Sequence, residues 1–128
     1  MSSFRPVYLI VGSLVGASGL EAYPEDYKGN ISNESLYGRY SISFNDRERE
    51  DFGDGSVMEG LIFFRIFYDR NNGHMDAVDY AGTLEDTFDR FIDNTLTINY
   101  STLSQPQDDP DNEALGMMVW QASFTKHL

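Results

Sequence analysis

GLIFFRIFYDRNNGHMDAVDYAGTLEDTFDRFIDNTLTINYS, residues 60–101, decides the fold, because the spacing of its apolar residues changes twice. Along a strand, side chains alternate between faces. Over residues 61–68, Ile62, Phe64, Ile66 and Tyr68 therefore point one way, and Leu61, Phe63, Arg65 and Phe67 the other. Both sets are largely apolar, which predicts a central strand covered on both sides. Asp69-Arg70-Asn71-Asn72-Gly73 reads as a turn, since Asn and Gly tolerate positive φ. Met75, Val78, Ala81, Leu84, Phe88, Phe91 and Ile92 then recur every three or four residues as one stripe of an amphipathic helix. Asp76, Asp79, Thr83, Asp86, Asp89, Arg90 and Asp93 form its wet face, with Asp76 in the first turn, where the helix dipole favours an anion. Asp93-Asn94 ends the helix. Residues 95–101 alternate again, with Leu96, Ile98 and Tyr100 inward and Thr95, Thr97 and Asn99 outward. The helical stripe has the sheet to cover it. Burying Phe88, Phe91 and Ile92 should contribute about 1.5–3 kcal/mol each before entropy is counted.

Upstream, residues 36–44 alternate with Leu36, Tyr40, Ile42 and Phe44 on one face and Tyr37, Arg39, Ser41 and Ser43 on the other. One-sided burial of this kind suits an antiparallel edge or near-edge strand. Residues 45–59 are a long polar connection with Gly53 and Gly55 as hinges, and long loops in small domains are usually functional or mobile. Downstream, residues 102–113 (TLSQPQDDPDNE) form a second polar connection, where Pro106 and Pro110 oppose regular ladder pairing. Residues 114–125 are the last strand, with Met118, Trp120, Ala122 and Phe124 on one face and Met117, Val119, Gln121 and Ser123 on the other. Lys126-His127-Leu128 is a tail. Residues 20–35 read as a loop broken by Pro24, Gly29-Asn30 and Asn33. Residues 1–19 read as a short helix striped by Val7, Ile10, Val11, Leu14 and Val15 with Pro6 in its first turn; the alternative is an extended arm on a neighbouring subunit. The expected architecture is α+β: a single domain, residues 1–128, with a mainly antiparallel four-stranded sheet. Two hairpins flank one main amphipathic helix on one face, and a short N-terminal helix or arm precedes them.

The 128 residues suit one domain, and a 41% hydrophobic content suffices for a core. The charge is lopsided: 21 acidic against 9 basic residues, net −12. Such a surface repels nucleic acids and anionic membranes. There is no Cys, which excludes disulfides, thiol catalysis and thiolate metal sites and fits a reducing compartment. Residues 6–20 are too short and too rich in small residues for a convincing transmembrane helix. Arg5 and the Ala17-Ser18-Gly19 step are only a faint imprint of a secretory leader.

No catalytic constellation stands out. His74 and His127 are the only histidines, and neither belongs to a nucleophile motif; a helix-start residue and a tail residue are the plainer readings. Asp108, Asp109, Asp111 and Glu113 lack the central glycine of a calcium loop and are interrupted by Pro110, so they read as a solvated hairpin loop. Asp51-Phe52-Gly53-Asp54-Gly55 offers too few ligands for a cage. Gly53, Gly55 and Gly60 are followed by no Gly-Lys-Ser/Thr, so they spell no phosphate loop. Most aromatic residues fall on strand faces, where packing explains them better than base stacking does, and Trp120 reads as core. No catalytic residue, metal site or cofactor is expected.

The order of elements resembles the tail-terminator proteins of long-tailed bacteriophages. The resemblance covers about residues 35–125 and rests on a pattern of elements rather than one diagnostic motif. It is carried by the LYGRYSI strand (residues 36–42), the GLIFFRIFY strand (60–68) and Asn71-Asn72-Gly73. The helical core of Ala81, Leu84 and Phe88 follows, and then a closing hairpin that ends in the alternating strand of residues 116–124. The family's longer polar N-terminal helix is not matched by the glycine-rich residues 1–19.

The resemblance implies a structural virion protein, assembled in the host cytoplasm. Its role would be a homohexameric ring at the head-proximal end of the tail tube, stopping tube growth and joining the head connector. The implied partners are further copies of the chain, the tail-tube protein and the head-side connector or stopper. DNA would pass through the lumen without specific binding, and no membrane is involved. Asp46, Arg47, Glu48, Arg49, Glu50, Asp51 and Asp54 are the expected subunit-interface or lumen loop, whose acids would keep passing DNA from sticking. Two other readings stand beside this one: another head-completion or connector protein, and a small acidic inhibitor that mimics nucleic acid.

Overall fold

The computed structural model describes residues 4–31, 35–44, 57–89, 96–110 and 112–127. Its elements in chain order are α1 (Phe4–Ser18), β1 (Ala22–Pro24), β2 (Leu36–Phe44), β3 (Val57–Asp69), a 3₁₀ turn (Arg70–Asn72), α2 (Met75–Asp89), β4 (Leu96–Leu103), β5 (Gln107–Asp108) and β6 (Leu115–His127). They form one six-stranded sheet in the order β1-β2-β3-β6-β4, with β5 also on β6. All pairings are antiparallel except β1 on β2. The fold is thus α+β and mostly antiparallel, but with six strands rather than four. The four long strands are those expected; two short ones were hidden in segments that read as loops.

β3 is central as expected. Its register runs Leu36↔Tyr68 to Phe44↔Gly60 with β2, and Val57↔His127 to Asp69↔Leu115 with β6. The two hairpins, β2–β3 and β4–β6, lie side by side with β6 against β3, and α2 connects them. Both helices lie on one face. Val7, Val11 and Val15 of α1 and Ala77, Tyr80, Ala81, Leu84 and Phe88 of α2 join Ile62, Phe64, Ile66, Trp120, Ala122 and Phe124 in one core. Phe64, Phe88 and Trp120 are mutually in ring contact, at centroid distances of 5.4–6.2 Å.

The N-terminal helix, α1, is as expected, with Val7, Val11 and Val15 of its stripe buried and Ile10 and Leu14 half-buried, but several other expectations are corrected. In α2, Met75 is exposed and Ala77 and Tyr80 are buried in its place; the stripe is rotated because the Tyr80 ring lies over Gly38 of β2. A Cβ at residue 38 would stand 2.5 Å from Tyr80 Oη. Phe91 and Ile92 lie outside the described residues. Tyr100 does not point inward. Between Ile98 and Tyr100 the register slips: Ile98 pairs with Phe124 and Tyr100 with Ser123. A bulge of this kind moves every later residue to the other face, so Tyr100 is 63% exposed, and Ser101 and Leu103 take the helix side. Residues 102–113 are not one loop. β4 runs to Leu103, Ser104 continues the ladder by donating its N–H to the Val119 carbonyl (2.8 Å) and accepting the Val119 N–H on Oγ (2.9 Å), and β5 resumes beyond Pro106. Lys126 and His127 of the tail are strand as well, and Lys126 pairs with Met58 and Leu96 and is buried.

Among the described residues, the face away from the helices is covered at one end only. There Tyr37, Phe67 and Leu115 pack with Tyr23, Ile31 and Met117. The cover is held by polar bonds. Glu25 accepts two hydrogen bonds from Arg65, whose Nε lies at 2.9 Å, and Arg39 Nη1 donates to the Tyr27 carbonyl at 2.9 Å. Elsewhere on this face Leu61, Phe63, Val119 and Gln121 are half-buried. The expectation that β3 is covered on both sides therefore holds at its Phe67 end, while among the described residues Leu61 and Phe63 are only half-buried.

Candidate functional site

The expected interface or lumen loop, Asp46, Arg47, Glu48, Arg49, Glu50, Asp51 and Asp54, lies outside the described residues. His74 is exposed just before α2, where its carbonyl accepts the Val78 N–H at 3.1 Å. It lines an open groove of about 250 Å³ with Tyr68, Arg70, Gly73, Pro106, Gln107 and Asp108. That lining holds no Ser, Thr or Cys to act as a nucleophile beside His74. Arg70 and Asp108 meet across it at 3.4 Å, both well exposed. His127 is the last residue of β6, remote in sequence from His74.

Of the acidic cluster, Asp108 belongs to β5 and Asp109 is buried at the turn before β6, its N–H donating to the Leu115 carbonyl; Glu113 is exposed and Asp111 lies outside the described residues. Among the described residues no three His, Cys, Asp or Glu side chains are grouped to hold a metal ion. No described helix is long and apolar enough to cross a membrane.

What the structure does bring together, among the described residues, is two strand edges that themselves carry no acids. β1 covers only residues 38–40 of β2, and the Glu25 N–H donates to the Tyr40 carbonyl at 2.9 Å to finish that cover. Beyond it, among the described residues, no strand pairs with the outer edge of residues 41–44, sequence SISF. α1 lies beside this half-edge, its Tyr8 ring 5.9 Å from that of Phe44. α1 carries one charge, Arg5, and no acid. Tyr8 and Leu9 are 49% and 60% exposed on it, large apolar side chains on the face turned away from the core.

At the opposite side of the sheet β4, LTINYSTL, carries no charge. Among the described residues no strand lies beyond it, and Tyr100 and Leu103 are exposed along it. Of the seven large hydrophobic residues exposed among the described residues, five (Phe4, Tyr8, Leu9, Tyr100 and Leu103) flank these two edges. Among the described residues, five acids, Asp76, Asp79, Glu85, Asp86 and Asp89, are exposed on α2.

The sequence left this site unread because it depends on which strands end up outermost. Its available signal was the charge-free pair of segments LTINYSTL and SISF in a chain of 30 charged residues.

No family model matches the chain, and no curated protein matches it. Seventeen chains of solved structures do. One of them, which bears no functional name, superposes with a TM-score of 0.65 at 13% identity over 91% of this chain and 96% of its own. Likeness at that identity shows a shared fold and nothing of function.

Proposed function

We propose that the chain is a structural virion protein of a long-tailed phage, a tail terminator. It forms a homohexameric ring at the head-proximal end of the tail tube, stops tube growth and joins the tail to the head connector. The observation that carries this reading is the pair of acid-free edges on opposite sides of one sheet. A protein at −12 repels its own copies unless contact is made through surfaces that lack acids. Two different surfaces on one protomer make a head-to-tail contact, which closes into a ring when the rotation allows. The resemblance in element order supplies the tail position, and the neighbouring head-completion and connector roles share the same logic.

The test is assembly. Purified chain mixed with growing tail tubes is expected to cap them at constant length and to appear as a ring at one end by electron microscopy. Tubes that lengthen unchanged would count against the proposal.

The five exposed acids of α2 favour a second reading, a monomeric inhibitor that mimics a nucleic-acid backbone. That reading requires competition with DNA for a basic target protein, and a ring would not be needed.

A further inference from the structure

The geometry points to a specific junction: the outer edge of β4 in one copy pairs with residues 41–44 of β2 in the next, so that one antiparallel sheet runs through successive protomers. This deepens the ring reading above and rests on it. Three observations carry it.

The first is direction. β2 is antiparallel to β3, β3 to β6 and β6 to β4, so β2 and β4 run opposite ways. Repeating the protomer head to tail sets β4 against the next β2 in the antiparallel sense, the same pairing used inside the protomer.

The second is extent. β1 occupies residues 38–40 of β2 and leaves 41–44. The bulge in β4 leaves residues 100–103 as a regular four-residue run beyond it. Two four-residue edges match.

The third is chemistry. Neither edge carries a charge, and unpaired strand edges of this composition are templates for pairing. On the helix side, the exposed Leu103 of one copy would meet Tyr8 and Leu9 on α1 of the next. Ser41, Ser43, Tyr100 and Thr102 all lie on the other side, opposite Phe63, Leu61, Ser123 and Gln121 in turn. Keeping like faces together therefore pairs Thr102 with Ser41 or with Ser43, and no other residue of the segment.

The chain has no cysteine, so introduced thiols report cleanly. Chains carrying Thr102→Cys are mixed with chains carrying Ser41→Cys or Ser43→Cys and oxidised. Disulfide geometry demands close, face-matched Cα positions. A cross-link in one of these mixtures, absent from each chain alone, is the expected result. A cross-link of T102C to itself would overturn the junction in favour of a two-fold β4–β4 contact. A wild-type oligomer that cross-links in neither mixture would overturn the junction and leave the ring reading standing, whereas a wild-type monomer at every concentration would end both.

As a second arm, Thr102→Lys places a charge on an exposed edge position. It is expected to keep the far-UV spectrum and the melting temperature while weakening self-association by at least roughly tenfold. An unchanged oligomer mass would contradict the junction.

Discussion

Along one side of the sheet, β1 lays three residues on β2, ends them with Pro24, and anchors the following chain through Glu25 to Arg65. Along the other side, β4 ends the sheet with eight uncharged residues and neither a proline nor a salt bridge. Proteins that must stay monomeric blunt their edges with proline, charge or very short strands. β1 is short and ends in a proline, the charge comes from Glu25 just after it, and its guard stops at Tyr40. β4 has only its bulge at Asn99, which twists the strand without closing it. The difference teaches that acids are not spread evenly over a chain of net −12. Among the described residues, five are exposed on α2 and none lies on α1, on β4 or on residues 41–44.

The comparison can be broken most forcefully at the core that both edges share. Phe88 touches both Phe64 and Trp120 and is buried. Phe88→Ala is expected to cost about 3–5 kcal/mol, read by urea unfolding, and to abolish assembly along with the fold.

Gly38→Ala acts on the guarded edge alone. The added Cβ would crowd the Tyr80 hydroxyl, and relieving that crowding is expected to cost about 1–3 kcal/mol. Hydrogen exchange of the Gly38 and Glu25 amides, which hold β1 to β2, should accelerate while β4 amides are unchanged. Equal acceleration at both edges would show that they are not independent.

Tyr80→Phe is gentler. Tyr80 Oη donates to the Glu21 carbonyl at 2.6 Å, the same carbonyl that accepts the Gly38 N–H, and losing that bond is expected to cost about 1 kcal/mol at neutral pH. Burial, reinforced by the Glu21 charge, pushes the Tyr80 phenol well above its ordinary value of 10.0. The stabilisation is therefore complete below pH 10 and is lost as the unfolded chain ionises above it. The gap between wild type and Y80F should narrow in alkaline melts. A gap that widened there would contradict the buried, neutral donor.

The smallest effect belongs to the anchor. Glu25 and Arg65 are each about one-third exposed, so Glu25→Gln should lower stability by no more than about 1 kcal/mol, and less in high salt.

Much of this contrast was hidden in the chain. The long strands and both helices were legible because their apolar periods persist over eight or more residues. That two hairpins flank α2 followed from the order of elements, but which strands lie outermost did not. β1 was illegible: Ala22-Tyr23-Pro24 has no period of its own and becomes a strand only because β2 offers a partner and Tyr80 and Gly38 hold Glu21 beside it. The Asn99 bulge was equally silent, since strict alternation through Leu96, Ile98 and Tyr100 reads as an unbroken strand. Lys126 looked like tail because a charged residue seldom signals a buried strand end. The acid-free edges were present as composition, but only the strand order reveals that they lie on opposite sides.

The central claim is that copies meet through uncharged surface while the rest of the molecule repels. Light scattering on the full chain across a range of ionic strengths tests it most directly. Salt screens the repulsion of −12 protomers and leaves apolar and backbone contacts in force. The expected result is a mass that rises with salt and levels off at a fixed multiple of the chain. A mass that falls as salt is added, or stays at one chain throughout, would contradict the account.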